Sequence, residues 1–518
     1  MATVSINSSE GRWVMASTIL ASAMAFIDST ALNVVLPALQ KDLNATGTDL
    51  FWLLNAYLLI LASLILIGGS LGDKLGRKKI YMIGIFIFIA GSAACGFAAN
   101  VQVLIACRVI QGLGGALMIP GSLSLISSSI HESEKGKAIG TWSAVTTIVT
   151  LGGPILGGAL ADAGLWRYIF FINIPIGITA LIILWKKVAE SKEANANPVL
   201  DYPAVVTVAA GLALLTFGFL RIPAIGFNNV QTAGALASGL LLLVAFIVRE
   251  KKTPHPMMPL HLFANKTFSG ANLLTFFLYA GLGSGMLFLS LDLVQVQGYS
   301  QLQSGLTFLP FTILMILIAR PAGSWADRSG LRILLIIGPA MAGVGLLILS
   351  FIGQTRGPKD YWLTFFPGIL VLGLGMSFTV APLTTAVMRS VHDQFSGVAS
   401  GINNAMTRIS NVFANAIFGA LAVLLFTGAL TNKLKALSID PKCKQAVIAQ
   451  AVNLGDAKIP AGIIGHDRAL IEQSYHAGFI STYAAIMRLS AGLAFLGALM
   501  SLLFVKNPRD YAPKKNSG

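Results

Sequence analysis

Fourteen apolar runs, each about 20 residues long, follow one another along this chain with short polar stretches between most of them. A run of that length crosses the hydrocarbon core of a bilayer as one helix, which satisfies its own backbone where water cannot. The runs lie near residues 13–36, 51–71, 80–99, 103–129, 138–161, 167–187, 202–221, 232–249, 267–291, 302–322, 333–353, 361–386, 398–426 and 478–505. Hydrophobic residues make up 55% of the chain and charged residues 11%, too few to cover a soluble fold of this length. Alternating apolar and polar positions are rare, which argues against a β-barrel, and the 53 glycines suit helices packed closely in lipid. The expected class is an all-α polytopic membrane protein.

A net charge of +15 would suggest a nucleic-acid partner in a soluble protein, but here the cations are sorted by loop. With the N-terminus cytoplasmic, about 21 Lys and Arg fall on the cytoplasmic side and about five in short outer loops. That bias sets both termini inside and leaves no basic surface for nucleic acid. Cys95, Cys107 and Cys443 offer neither a disulfide framework nor metal-ligand spacing, so no metal and no cofactor is expected. The first run has span length and no clear small-residue cleavage site, so it is expected to remain as an anchor.

The polar stretch Gly69 to Lys79, GSLGDKLGRKK, returns in degraded form as GSWADRSGLR at Gly323 to Arg332. The first copy follows the second run and the second copy follows the tenth, so each lies between the second and third helices of a six-helix unit. Residues 1–187 then form one six-helix bundle and 267–518 another. Residues 188–266 hold two inserted helices with cytoplasmic linkers. Two parallel repeats about an axis along the membrane normal are a transporter architecture. The long outer loop 427–477 could be solvated, or could carry an amphipathic helix near Lys442 to Asn453.

Charge inside the spans points to chemistry. Asp28 sits in the first run, in AFIDSTALNVVLP, without a cation in its own turn. A carboxylate at that depth must face a water-filled cavity, find a cation or hold a proton. A neutral Asp28 bonded to Thr30 or Asn33 is the structural alternative. Arg108, early in the inward-running fourth run, lies at similar depth and is its candidate partner, directly or through water. Arginine stays protonated and can tune a neighbour without titrating itself. Gln111 lies one turn further along the same helix, and Asn33, Asn55 and Tyr57 extend the polar lining expected of a substrate cavity. On the thirteenth run Asn404, Arg408, Asn411 and Asn415 share one face at three- and four-residue spacing. In LGGPILGG, the residues Gly153, Pro154, Gly157 and Gly158 bring a bend and a tight crossing, serving packing alone or shaping and sealing the cavity. In the repeated loop, Gly69, Asp73, Gly76, Arg77, Lys78, Asp327 and Arg328 form a candidate gating latch. Asp73 is placed to accept from the N-terminus of the third helix.

At these residues the chain resembles the major facilitator superfamily, and within it the fourteen-helix drug:proton antiporters. GSLGDKLGRKK is similar to the superfamily's loop signature, LIACRVIQGLGGA to its fourth-helix arginine motif and GGPILGG to the antiporter motif of the fifth helix. FIDSTALNVVLP, WLLNAYLL and WRYIFFINIPIG resemble further stretches of the fourteen-helix group. The resemblance implies a major facilitator fold of six, two and six helices. It also implies that Asp28 couples protons beside Arg108, that Asp73 and Arg77 belong to a gating loop, and that Asn404 and Arg408 form a cavity pattern. Val149 stands where the longer antiporter motif has glycine, and the tenth span lacks the carboxylate some relatives carry.

The expected activity is proton-coupled efflux of amphipathic drugs or toxic compounds by alternating access, in the cell membrane. Protons, a small-molecule substrate and lipid are the expected partners, and the chain is expected to act as a monomer. A dedicated exporter of a metabolite, lipid or siderophore is the alternative within transport, which the asparagine face would suit. A receptor or scaffold on a transporter fold is the alternative outside it. No span-facing cluster of His, Ser and carboxylate supports a membrane enzyme.

Overall fold

The computed structural model describes residues 4–131, 134–191, 201–254, 256, 258–391, 396–435, 440–460 and 466–506. The N-terminal helices are α1 (Ser9–Leu43), α2 (Gly47–Leu75), α3 (Arg77–Gly96), α4 (Val101–Ser129), α5 (Lys135–Asp162), α6 (Tyr168–Phe171) and α7 (Asn173–Lys187). Next come α8 (Tyr202–Ile225) and α9 (Val230–Lys252). The C-terminal set is α10 (Lys266–Gln295), α11 (Gln301–Thr307), α12 (Leu309–Ser329), α13 (Leu331–Leu349), α14 (Phe365–Arg389), α15 (Ser396–Lys435), α16 (Pro441–Ala449) and α17 (His466–Phe504). Among the described residues no β-strand forms.

Thirteen stretches are long and apolar enough to cross a membrane, which makes this a multi-pass membrane protein. Two of them are broken helices, α6 with α7 over Tyr168–Lys187 and α11 with the start of α12 over Gln301–Ile318. The expected fifth span falls on α5, whose apolar stretch among the described residues, Ile148–Asp162, is shorter than the others.

The helices begin where the sequence supplies caps. Ser8 accepts from Gly11 N at the start of α1. Thr46 and Asp49 close a capping box at the start of α2, and between them the chain turns through Asn44 in the left-handed region. The two loop copies turn alike: Gly76 before α3 has φ 116° and Gly330 before α13 has φ 95°, a region costly for residues with a Cβ. In each set the third and fourth helices then cross on small residues. A Cβ at Gly114 would strike the backbone of Phe88 on α3, and one at Gly375 would strike Ala342 on α13.

α8 and α9 pack on each other, and α8 lies against α2 and α15. At the end of the bundle carrying the α1–α2 turn, one buried apolar cluster joins both sets. It draws Leu36 and Leu39 from α1, Phe51 from α2, Phe288 from α10 and Phe418 from α15.

Several elements outrun the apolar runs that announced them. α15 has 40 residues and α17 has 39, which is about 60 Å of helix against a hydrocarbon core of about 30 Å. Apolar patterning stops where lipid stops, but helix hydrogen bonding does not. The surplus shortens the long loop, and α16 with a 3-10 turn over Gln450–Asp456 fills much of the rest.

Candidate functional site

Asp28 and Arg108 meet inside the N-terminal set. Arg108 Nη1 lies 2.5 Å from Asp28 Oδ2, with side chains 1% and 0% exposed. The same nitrogen donates to Gln111 Oε1 at 2.6 Å, and Gln111 Nε2 donates to Asp28 Oδ1 at 2.9 Å. Both carboxylate oxygens thus receive a hydrogen bond, one of them charge-assisted, which is what an ionised carboxylate needs in a dry interior. The structural alternative for Asp28 is not the one formed, since Thr30 Oγ1 bonds the Phe26 carbonyl on its own helix.

The network runs on through residues that sequence reasoning does not single out. Gln111 Nε2 also donates to Ser92 Oγ at 3.2 Å, Asn173 Nδ2 donates to the same oxygen at 2.9 Å, and Ser92 donates to Phe170 O. Ser92 and Asn173 are fully buried. Their signal is polarity inside apolar helices, which is too common for hydroxyls and amides to stand out alone. The Arg108 guanidinium also lies 4.3 Å above the Tyr57 ring, while its Nε has no partner among the described residues. Five helices, α1 to α4 and α7, therefore hold one polar cluster that centres on a single ion pair.

The expected cavity residues spread more widely. Asn55 is fully buried with neither amide atom partnered among the described residues. Asn33 is half-buried. On α15, Asn404 is exposed, Arg408 and Asn411 are half-buried and Asn415 is buried. Arg408 acts electrostatically on Tyr57 and on Tyr279 of α10, so the arginine stands between the two helix sets. Asn411 approaches α10 at Gly283, and the adjacent Asn403 donates to Thr275 and Asn272 of that helix.

The glycines of the fifth helix make contacts on two sides. A Cβ on Gly153 would strike Thr30 and one on Gly157 would meet Ala31, both on α1. A Cβ on Gly158 would meet Gln301 and Leu302 of α11, and Gly305 approaches the Pro154 carbonyl in return. Asp162, at the end of α5, completes this junction. Its carboxylate accepts from Ser300 Oγ, Gln301 N and Leu302 N at 2.6, 2.7 and 2.9 Å. Nearby, Gln295 of α10 donates to Gln40 of α1 at 2.8 Å, and Gln40 donates to the Asn453 carbonyl at 3.0 Å. These hydrogen bonds join the N-terminal and C-terminal sets at the α1–α2 end and seal it.

The repeated loop sits at the opposite end. The side chains of Asp73, Lys74, Asp327 and Arg328 lie outside the described residues. The start of α3 is occupied by Glu190, from the segment after α7, whose carboxylate accepts from Lys78 N at 2.9 Å and Lys79 N at 3.0 Å. It presses against Gly76, where a Cβ would meet it at 2.8 Å. Lys78 Nζ in turn donates to Val188 O at 2.7 Å and to Trp185 O at 3.3 Å, capping the carbonyl end of α7. Gly69 lies beside Pro120 of α4. Glu190 was not legible because it is far from the loop in sequence and lies in a polar stretch where a glutamate is unremarkable.

The profile of the Major Facilitator Superfamily matches residues 18–415. The tetracenomycin C resistance and export protein of Streptomyces glaucescens is 29% identical, over 95% of this chain and 91% of its own length. The multidrug resistance protein Stp of Mycobacterium tuberculosis is 32% identical over 83% and 79%. The methylenomycin A resistance protein of Bacillus subtilis is 30% identical over 81% and 89%. Among solved structures, a bacterial homologue of the human lysosomal transporter Spinster superposes with a TM-score of 0.66 at 17% identity, covering 97% of this chain and 100% of the other. The E. coli xylose transporter XylE gives 0.58 at 13%, covering 96% and 97%; both likenesses concern the fold.

Proposed function

Since this chain belongs to the Major Facilitator Superfamily and is a membrane transporter, we propose that it exports amphipathic drugs or toxic compounds in exchange for protons, with Asp28 as the proton carrier. The observation that carries this reading is the buried Asp28–Arg108–Gln111 cluster. A lone ion pair on a soluble core would be a packing device, but in a membrane interior an acid and a base at such depth are expensive to keep without use. The resistance and export proteins among its relatives support the cargo class.

In this reading the positive-inside bias makes the α1–α2 end the outer one, so the sealed outer end corresponds to an inward-facing state. The spans number fourteen with α5 included, and α8 with α9 form an insertion between two six-helix bundles, 1–187 and 267–518. The protein acts as a monomer in the inner membrane. A proton taken up by Asp28 neutralises one partner of a buried pair and leaves the positive charge of Arg108 uncompensated. At about 4 Å and an effective dielectric of 20 such a charge acts with about 4 kcal/mol, enough to expel a cationic or polarised cargo. Cargo and proton then compete for one conformational cycle, which exchange requires, because a ligand bound equally in both states couples to nothing. Arg408, Asn411 and Asn404 on α15 supply the opposite wall of the cavity.

The exposed Asn404 favours, as a second reading, a dedicated exporter whose cargo is recognised by hydrogen bonds. Growth of a pump-deficient strain expressing the chain, on a panel of cationic, neutral amphipathic and polar compounds, separates the two. Protection against structurally unrelated amphipathic compounds supports the first reading, protection against one polar compound supports the second, and protection against none contradicts both.

A further inference from the structure

We propose that Asp292 is a second proton-binding group, and that its proton holds the α1–α2 end of the bundle shut. The proposal rests on the alternating-access part of the reading above but not on proton-coupled drug efflux.

Asp292 lies in the last turn of α10 with no exposed surface. Its surroundings provide one side-chain hydrogen bond, from Gln297 Nε2 to Oδ2 at 3.1 Å, and Oδ1 has no partner among the described residues. The titratable groups that face it are Tyr299, just beyond α10, and Tyr483 from α17, whose buried hydroxyls are also without partners among the described residues. Asp360 reaches this cluster only through Tyr299. Among the described residues, no charged group on α1, α11, α14, α15 or the Leu260–Ala264 and Gln450–Asp456 turns, the other elements packed against α10, acts on Asp292.

Asp28 shows what a cation-paired carboxylate receives in this protein: an arginine and an amide, one bond to each oxygen. Asp292 has neither the cation nor the second donor. The neutral acid fits its site, and the ion does not.

Position ties this proton to the seal. Gln295, three residues on, is the α10 residue that donates to Gln40 of α1. Gln297, the donor to Asp292, also donates to Gly353 O and accepts from Thr355 N and Oγ1, fixing the turn that walls the acid in. Opening this end separates Gln295 from Gln40, moves that turn and admits water, after which the hydrated acid loses its proton near neutral pH. The sealed state therefore holds one more proton than the open state, so it gains on the open state as pH falls. The gain is at most about tenfold in the sealed-to-open ratio per pH unit, the limit for one linked proton. That proton enters and leaves on the α1–α2 side, so it biases the gate without entering the exchange ratio.

The test uses the full chain in lipid nanodiscs, with Cys443→Ser and spin labels on Lys41→Cys and Lys359→Cys. Both lysines are exposed at this end, one on each helix set. The parent should move from long to short inter-label distances as pH is lowered. Asp292→Asn, which mimics the neutral acid, should stay short throughout, and Asp292→Glu should respond with a displaced midpoint. An Asp292→Asn protein that follows pH as the parent does overturns the proposal. Should that variant fail to assemble, Gln297→Leu removes the one donor to the carboxylate and should shift the midpoint to higher pH; an unmoved midpoint is equally contrary. The readout uses no cargo, so failure of the efflux assignment and failure of this proposal are distinguishable.

Discussion

Glu190 and Gly76 touch at the end of the bundle opposite the seal: the glutamate carboxylate fills the space a Cβ on Gly76 would occupy while it accepts from the first turn of α3. The glycine of the repeated loop thus has two duties. Its φ of 116° permits the reversal between α2 and α3, and its missing side chain admits an anion to the helix N-terminus. Glu190→Ala should lower stability by about 1–2 kcal/mol, the range for losing a charge-assisted cap. Gly76→Ala should cost more, because it is strained in φ and displaces Glu190 as well. Thermal unfolding of both variants in detergent checks the order, and a Glu190→Ala protein as stable as the parent would mean that the carboxylate contributes nothing.

Breaking the buried pair from one side differs from removing it. Arg108→Ala should destabilise the protein by about 3–5 kcal/mol, since it leaves a buried carboxylate with a single amide donor. Arg108→Ala combined with Asp28→Asn should recover most of that loss while remaining inactive. A double-mutant cycle on unfolding temperatures measures the coupling.

Gly158 is predicted to control the seal rather than the fold. Its hydrogen faces Gln301 and Leu302 across the junction of the two sets, so Gly158→Leu pushes α5 away from α11 with little disturbance to the bundle of α1–α4. Thiol labelling of a cysteine placed at Gln301 should accelerate several-fold in that variant. Unchanged labelling, with unchanged unfolding, would reduce the motif to simple packing.

The anchoring of α8 to α9 should depend on pH. Burial pushes the Asp201 carboxyl up, but the Arg249 guanidinium and the Ala204 amide outweigh it, and the group is held below the usual carboxylate range. A group lowered in the folded state stabilises above its unfolded proton affinity and loses that contribution as pH falls through the folded one. Protection of the first-turn amides of α8 against hydrogen exchange, taken relative to the intrinsic rate at each pH, should therefore be high at neutral pH and fall as pH drops below about 4. In Asp201→Asn that protection should be low throughout.

What the sequence made legible follows the cost of each feature. A carboxylate and an arginine inside apolar runs are too expensive to be accidental, so Asp28 and Arg108 could be singled out and even matched by depth. The repeat was readable because Gly76 and Gly330 must both reverse the chain between helices. Partners that cost little stayed hidden: Ser92 and Asn173 look like ordinary membrane-helix residues, and Glu190 looks like linker. Asp292 is the instructive case, since near a helix end a carboxylate passes for an interfacial residue. Only the packing of α17 and of the turn after α10 shows that no water reaches it. Contacts between the two sets, such as Asp162 with Ser300, depend on which end is closed, and no local pattern encodes that.

In the proposed exchange cycle the coupled proton is carried by Asp28. The most direct measurement of that role is cargo transport by the purified protein in liposomes under an imposed pH gradient, comparing the parent with Asp28→Asn at matched reconstitution. The parent should move cargo against its gradient as protons flow the other way. The variant should still fold and insert, with the lower unfolding temperature expected of a buried pair broken from one side, and should show no pH-driven transport. Undiminished pH-driven transport by Asp28→Asn would contradict that role.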